Sequence, residues 1–132
     1  MSAVATLLPE LEGIAVETQP QKGRRRSRDF YWYSPILKRK LDHVTAQAVV
    51  TPTDEAELVR TLQACYRHRV PVTPRGAGTG NYGQAMPLEG GIVLDLSELN
   101  RIKEIALGRV RVEAGAKLAD IDLQCQSQSR QE

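Results

Sequence analysis

Three short apolar segments, separated by one amphipathic helix and one glycine-rich stretch, determine the fold expected for this chain. The segments begin at Ala48, Val70 and Gly90, and each has the length and composition of a short buried strand. Pro52 ends the first of them. A strand, a helix and a strand in so few residues predict a parallel pair with a right-handed crossover. The sequence therefore predicts an α/β unit, a small parallel sheet flanked by helices.

The helix between the first two strands is predicted over residues 54–67. Thr53 is the expected N-cap, because its hydroxyl can accept a hydrogen bond from the first turn. The face expected to pack on the sheet contains Leu58, Val59, Leu62, Cys65 and Tyr66. His68 lies in the last turn, where a cation suits the helix dipole, so it is predicted to be a helix-end charge and not a catalytic base.

The segments after the third strand alternate apolar and polar residues. Residues 101–105 and 109–115 are predicted to form a hairpin around Leu107 and Gly108. A second helix is expected from about Ala116, followed by a polar tail over residues 123–132.

The N-terminal part carries an excess of positive charge. Residues 22–40 hold eight lysines and arginines against one acid, Asp29. Such a run can bind nucleic acid or an anionic surface, or it can be a solvated arm or face a partner domain. Nucleic-acid binding is disfavoured, because the aromatic residues of "DFYWYS" form one clump and not a spaced stacking platform. We expect residues 1–28 to be a loosely ordered basic lead-in and 29–43 to precede the domain.

Composition excludes several classes of protein. With 132 residues, 41% hydrophobic and 26% charged, the chain matches one ordinary soluble domain. No run of apolar residues is long enough for a transmembrane helix, and the N-terminus lacks the features of a signal peptide, so a cytoplasmic location is expected. Cys65 and Cys125 have no metal-binding or redox spacing and are expected to be reduced. His43 and His68 lie in no site-like context.

The glycine-rich stretch reads "PVTPRGAGTGNYGQAMP" and contains a literal G-x-G-x-x-G. A dinucleotide-binding fingerprint must follow a strand and open a helix, and here the next element is another strand. Asp95 and Glu98 are also poorly placed for the acidic residue of that motif. A P-loop is excluded because no Gly-Lys-Ser/Thr follows.

A strand followed by a loop of bare backbone is what remains. The loop contains four glycines, Gly76, Gly78, Gly80 and Gly83. Glycines can adopt positive φ and admit a ligand close to the main chain. Successive backbone N–H groups in such a loop can form an anion nest. Arg75 can add charge and Thr79 a hydroxyl. These features predict a phosphate or pyrophosphate site, and the alternative is a surface loop without a ligand.

Several motifs in a fixed order resemble one known family. The Pro52-Thr53 turn with its acidic helix start, "PRGAGTG", "GGIVLDLSELNRI" and "VEAGA" are similar to the FAD-binding (PCMH-type) domain of the vanillyl-alcohol oxidase / p-cresol methylhydroxylase family. The similarity is greatest to its glycolate oxidase and D-lactate dehydrogenase type, and it covers residues 44–122.

The resemblance implies a cofactor and its site. FAD would be held through its pyrophosphate by the loop residues Arg75, Gly76, Ala77, Gly78, Thr79, Gly80 and Asn81. Family members that attach the flavin covalently at this loop have a histidine at the position of Thr79, so the resemblance implies non-covalent FAD.

The family's domain continues beyond the "VEAGA" helix, so residues 44–122 are expected to be a partial domain. A truncation, a frameshift and a split protein whose second chain supplies the rest all fit this expectation. No catalytic residue can be named, and the chain alone is expected to be inactive. Three functions remain open: the FAD-binding portion of an oxidoreductase, with 2-hydroxy acids as its candidate substrates, a non-catalytic remnant, and a basic interaction module.

Overall fold

The computed structural model describes residues 2–31 and 33–130, so Trp32 of the aromatic clump and the last two residues of the polar tail lie outside the described residues. The described part forms a mixed α/β structure. Its helices are α1 (Ala3–Leu7), α2 (Pro20–Arg26), α3 (Pro35–Leu41), α4 (Glu55–His68) and α5 (Leu118–Ser129), with a 3-10 helix at Leu8–Leu11. Its strands are β1 (Ala15–Glu17), β2 (Ala48–Thr51), β3 (Val72–Arg75), β4 (Ile92–Asp95), β5 (Ile102–Ala106) and β6 (Arg109–Val112).

The first four strands form one sheet in the order β1-β2-β4-β3. β4 runs parallel to both β2 and β3, and β1 pairs antiparallel with β2. The predicted parallel sheet is confirmed, but the prediction that β2 and β3 pair directly was wrong. β4 lies between them because it is buried along its whole length, and only a central strand is covered on both faces and paired at both edges.

The main hydrophobic core lies on one face of this sheet. Ala48, Val50, Ile92 and Leu94 extend from that face and pack against α1, the 3-10 helix and α4. The opposite face holds a smaller cluster of Ala46, Val49 and Val93 beside α2. The alternation of strand side chains between the two faces thus gives the sheet a helical layer on each side.

The N-terminal segment differs from the loosely ordered lead-in expected for residues 1–28. Leu7 and Leu11 are fully buried in the main core, and β1 extends the sheet at the edge of β2. Ser2 caps α1 by accepting a hydrogen bond from the Ala5 N–H. Four apolar residues of this segment belong to the main core, namely Val4, Leu7, Leu11 and Ile14, and their burial fixes the segment against the sheet.

Helix α4 forms where the sequence predicts it, with a different cap and a different buried face. Asp54 is the N-cap, because its carboxylate accepts from the Glu57 N–H at 2.8 Å. The buried positions are Thr61, Ala64 and Cys65. Ala64 and Cys65 belong to the main core together with residues of β2 and β4, so the buried side chains of α4 are small ones.

Two large residues of the predicted face of α4 are therefore exposed. Leu62 is 42% exposed and Tyr66 is 88% exposed, and both border a groove beside Val70 and Val72. The prediction that the Leu58/Leu62/Tyr66 face packs on the sheet holds only for Leu58, which contacts the core.

The C-terminal third contains the predicted hairpin and the predicted helix. β5 and β6 pair antiparallel around the turn at Gly108, which has φ +75°. α5 begins at Leu118 and continues to Ser129, so most of the expected polar tail is helical. Cys65 and Cys125 are both free thiols.

Glu10 links the N-terminal segment to α4, and its replacement by glutamine tests this link. Its carboxylate accepts hydrogen bonds from Arg67 and His68, which lower the pKa of Glu10. A carboxyl whose pKa is lowered by folding stabilises the protein above its unfolded pKa, and this stabilisation is lost as the pH falls. We expect Glu10→Gln to lower the midpoint of thermal unfolding at pH 7, and the difference to shrink below about pH 4.3.

Glu12→Gln is the matched control, because the Glu12 side chain forms no ion pair among the residues that the structure describes. Equal midpoints for Glu10→Gln and the unmodified chain across the whole pH range would contradict the prediction.

Candidate functional site

The three parallel strands end together at one edge of the sheet. Thr51, Arg75 and Asp95 are their last residues, and all three line one cleft of about 540 Å³. Lys22 and Arg26 of α2 form the opposite wall. Ligands of open α/β sheets bind outside the carboxyl ends of the strands, so a ligand site is expected at this edge.

The glycine-rich loop leaves β3 at this edge. Gly78 and Gly83 have φ of +69° and +76°, a conformation that glycine adopts without strain. Four of the six residues that follow Arg75 are exposed, namely Gly76, Ala77, Thr79 and Asn81. The next element is β4 and not a helix, which confirms that the literal G-x-G-x-x-G is no dinucleotide fingerprint.

Arg75 does not extend freely toward solvent at the entrance of the loop. Its Nη1 donates to the carbonyl oxygens of Arg26, at 3.2 Å, and of Arg28. Its Nε is buried without a hydrogen-bond partner among the described residues. Burial, and then the neighbouring charge of Arg26, lower the pKa of Arg75.

Residues 26–31, which we call the strap, run alongside the loop. The Phe30 N–H donates to the Gly80 carbonyl at 3.0 Å, and the Asp29 carboxylate lies beside Gly80. Tyr31 lies close to Gly83, where an added Cβ would be 3.4 Å from the Tyr31 ring. The strap was not predicted from the sequence as part of the site, although the clump of aromatic residues there was a signal.

Asp95 is the most buried charged group at this edge, with 2% of its surface exposed. One carboxylate oxygen accepts from the Ser97 N–H at 3.1 Å, and the other lies 3.4 Å from Arg26 Nη1. From the sequence, Asp95 was considered only as the acidic residue of a dinucleotide fingerprint, and its pairing with Arg26 was missed. That pair holds α2 against the end of β4.

The loop has a backbone of the kind that can bind an anion. It offers consecutive exposed backbone groups with a positive φ at Gly78, which is the kind of backbone that forms anion nests. Arg75 and Arg26 add positive charge to the adjoining cleft. Within residues 2–31 and 33–130, no group of three His, Cys, Asp or Glu side chains is arranged to hold a metal ion.

Neither histidine of the described chain lines this cleft. His68 contacts Glu10 at the end of α4, as expected for a helix-end residue, and His43 is exposed. None of the helices in the described part of the chain has the length and hydrophobicity needed to cross a membrane.

These features define a class of protein, an α/β domain with a backbone-lined loop at the carboxyl edge of its parallel strands. The sequence profile described as "FAD binding domain" matches residues 46–131. The chain therefore belongs to the FAD-binding domain family, and FAD is its cofactor.

Individual relatives agree with this assignment. The glycolate oxidase subunit GlcD of Bacillus subtilis is 47% identical over 58 residues, which cover 44% of this chain and 12% of GlcD. The D-lactate dehydrogenase of Anaerostipes hadrus is 32% identical over 79 residues, 57% of this chain and 16% of that enzyme. Both belong to the glycolate oxidase and D-lactate dehydrogenase type that the sequence motifs resemble.

The fold matches solved structures of the same kind. The structure of p-cresol methylhydroxylase with substrate bound superimposes with a TM-score of 0.71 at 19% identity, covering 96% of this chain and 24% of that one. The predicted fold, the first subdomain of the PCMH-type FAD-binding fold, is thereby confirmed. The chain spans 12–16% of the length of the two curated relatives named above.

Proposed function

We propose that the backbone of the loop holds the pyrophosphate of non-covalently bound FAD, in an oxidoreductase that acts on 2-hydroxy acids. The loop consists of Arg75, Gly76, Ala77, Gly78, Thr79, Gly80 and Asn81. The observation that carries the proposal is the half-buried, positive-φ backbone at Gly78, between exposed loop residues and shortly after β3 ends. Peptide N–H groups there can donate to phosphate oxygens without the help of a helix.

Non-covalent attachment follows from the chemistry of the loop. Thr79 is exposed, and its hydroxyl is no substitute for the imidazole that would form a bond to the flavin. The substrate class comes from the names of the relatives, glycolate oxidase and D-lactate dehydrogenase. In this proposal FAD supplies the redox chemistry when bound, and the residues of this chain bind and orient it.

The proposal includes a source for the parts of the enzyme that turnover needs and that this chain does not contain. A second polypeptide that completes the FAD site fits the small share of the relatives that this chain spans. A cytoplasmic location is proposed with it, which fractionation tests. The alternatives are a non-catalytic remnant and a basic interaction module at residues 22–40, and neither requires the chain to bind FAD.

Gly78→Val tests the proposed loop. A Cβ at Gly78 strains a φ of +69° and would lie 2.0 Å from Arg75 Nη2, so the Arg75 side chain or the loop must shift. We expect the affinity for FAD to fall about tenfold or more, which corresponds to about 1.4 kcal/mol. The measurement is a titration of the isotope-labelled chain with FAD to millimolar concentration, followed by the amide signals of residues 76–81.

Gly108→Val is the matched control, because Gly108 has φ +75° with open space around it, on the hairpin turn. It introduces the same backbone strain away from the loop and should leave the affinity for FAD unchanged. The proposal fails if FAD shifts no amide of residues 76–81 in the unmodified chain, or if a folded Gly78→Val variant binds FAD as well as that chain does.

A further inference from the structure

The strap and the phosphate loop are joined at several points, and Arg75 makes the central connection. We propose that Arg75 is a positioning residue: it ties the loop to the strap, so that docking of the strap sets the loop in the conformation that accepts the FAD pyrophosphate. The inference rests on the proposed function of the loop and adds a second segment, residues 26–31, to its site.

The geometry of Arg75 favours a positioning role over direct contact with phosphate. Nη1 donates to two carbonyl oxygens of the strap, those of Arg26 and Arg28. The guanidinium also lies against the main chain of the loop, since a Cβ on Gly78 would be 2.0 Å from Nη2 and 2.3 Å from Cζ. The side chain therefore fills the space between the strap and the turn at Gly78.

A second contact fixes the loop two residues further on. The Phe30 N–H donates to the Gly80 carbonyl at 3.0 Å, and a Cβ on Gly80 would be 3.1 Å from Asp29 Oδ2. A Cβ there would be closer still to Gln84 Oε1, at 2.8 Å, so Gly80 is confined by the strap on one side and by Gln84 on the other. Together the two contacts hold the loop on both sides of Thr79.

The strap is itself anchored to the rest of the domain. Ser27 is fully buried, donates to the Gly23 carbonyl at 2.7 Å and accepts from the Ala46 N–H at 2.8 Å. Arg28 donates to the carbonyls of Leu41 and Asp42. An anchored strap can transmit rigidity to the loop, and a preorganised loop loses less conformational entropy when a ligand binds.

Arginine suits this role because its planar fork donates in several directions at once. A lysine keeps the charge and can donate to carbonyl oxygens, but it has no planar guanidinium to fill the space beside Gly78. The charge-conserving variant Arg75→Lys therefore separates positioning from simple electrostatic attraction.

The experiment measures amide hydrogen exchange of Phe30 in the whole chain without ligand, and then binding of inorganic pyrophosphate and FAD. We expect Arg75→Lys to speed exchange at Phe30 and to weaken pyrophosphate binding, each by about tenfold, because the hydrogen-bonded strap opens more often. Arg75→Gln should also speed exchange at Phe30 and should weaken binding at least as much, because it removes a positive charge of the cleft as well as the tie to the strap. Amide signals of β2 and β4 serve to show that each variant is folded.

Arg25→Gln is the matched control, since Arg25 lines the same cleft but makes no contact with the strap carbonyls among the described residues. It should leave exchange at Phe30 unchanged. A direct phosphate ligand at Arg75 predicts a different pattern: unchanged exchange at Phe30 in both variants, binding retained by Arg75→Lys, and binding weakened by Arg75→Gln alone. That pattern would overturn the inference while leaving the proposed loop intact.

Failure of the proposed function gives a different result. If neither pyrophosphate nor FAD shifts the amides of residues 76–81 in the unmodified chain, the loop is no phosphate site and both proposals fall. If they bind and Arg75→Lys changes neither exchange nor affinity, only the positioning role of Arg75 is refuted.

Discussion

Replacing Gly91 by alanine is expected to destabilise the protein by about 4 kcal/mol, a large fraction of the stability of a domain of this size. A Cβ there would lie 2.2 Å from the Pro71 carbonyl oxygen and 3.0 Å from its carbon, both backbone atoms. The same carbonyl accepts the Ile92 N–H at 2.9 Å, where β3 and β4 begin to pair. The clash therefore pushes apart two strands of the central sheet.

Gly13→Ala separates this clash from backbone strain. Gly13 has φ +87° with no atom within 4 Å of an added Cβ. Its replacement should cost only the strain of a left-handed residue, about 1–2 kcal/mol. Urea denaturation of both variants gives the comparison. Equal losses of unfolding free energy in the two variants would contradict the prediction, because they would show that the strands relieve the clash at Gly91 at no cost in stability.

Leu7→Ala is expected to cost about 2–5 kcal/mol, whereas Leu62→Ala should cost about 1 kcal/mol or less. Leu7 is fully buried between α1 and the sheet, and Leu62 is 42% exposed on α4. The same atoms are removed in both variants, so the difference in free energy of unfolding measures burial alone. A larger loss of unfolding free energy for Leu62→Ala than for Leu7→Ala would instead support the buried face of α4 that the sequence predicts.

The local pattern was sufficient to predict most of the elements. The apolar runs at β2, β3 and β4, the amphipathic α4 and the alternation in β5 and β6 each follow from residues within one segment. Periodicity and turn residues act over a few positions, so they can be read without knowledge of the fold. The motifs also carried the family resemblance, which the match to residues 46–131 confirms.

Errors occurred where partners come from distant parts of the chain. The buried face of α4 depends on which strand lies beneath it, and the insertion of β4 between β2 and β3 is a property of the whole sheet. The order of the N-terminal segment likewise depends on a core that residues 48–94 provide. α1 has only five residues, and a helix this short is not stable by itself, so its formation depends on the core against which it packs.

The sequence by itself determined the glycine loop, its place after a strand and the absence of a helix behind it, because glycine spacing and strand pattern are local properties. Only the tertiary structure decided what surrounds the loop. Arg75 is contiguous with the glycines in sequence, but its guanidinium binds carbonyls of Arg26 and Arg28, nearly fifty residues away. Hydrogen bonds to backbone carbonyls need no particular side chain in the partner, so no residue type in the strap could reveal the contact in advance.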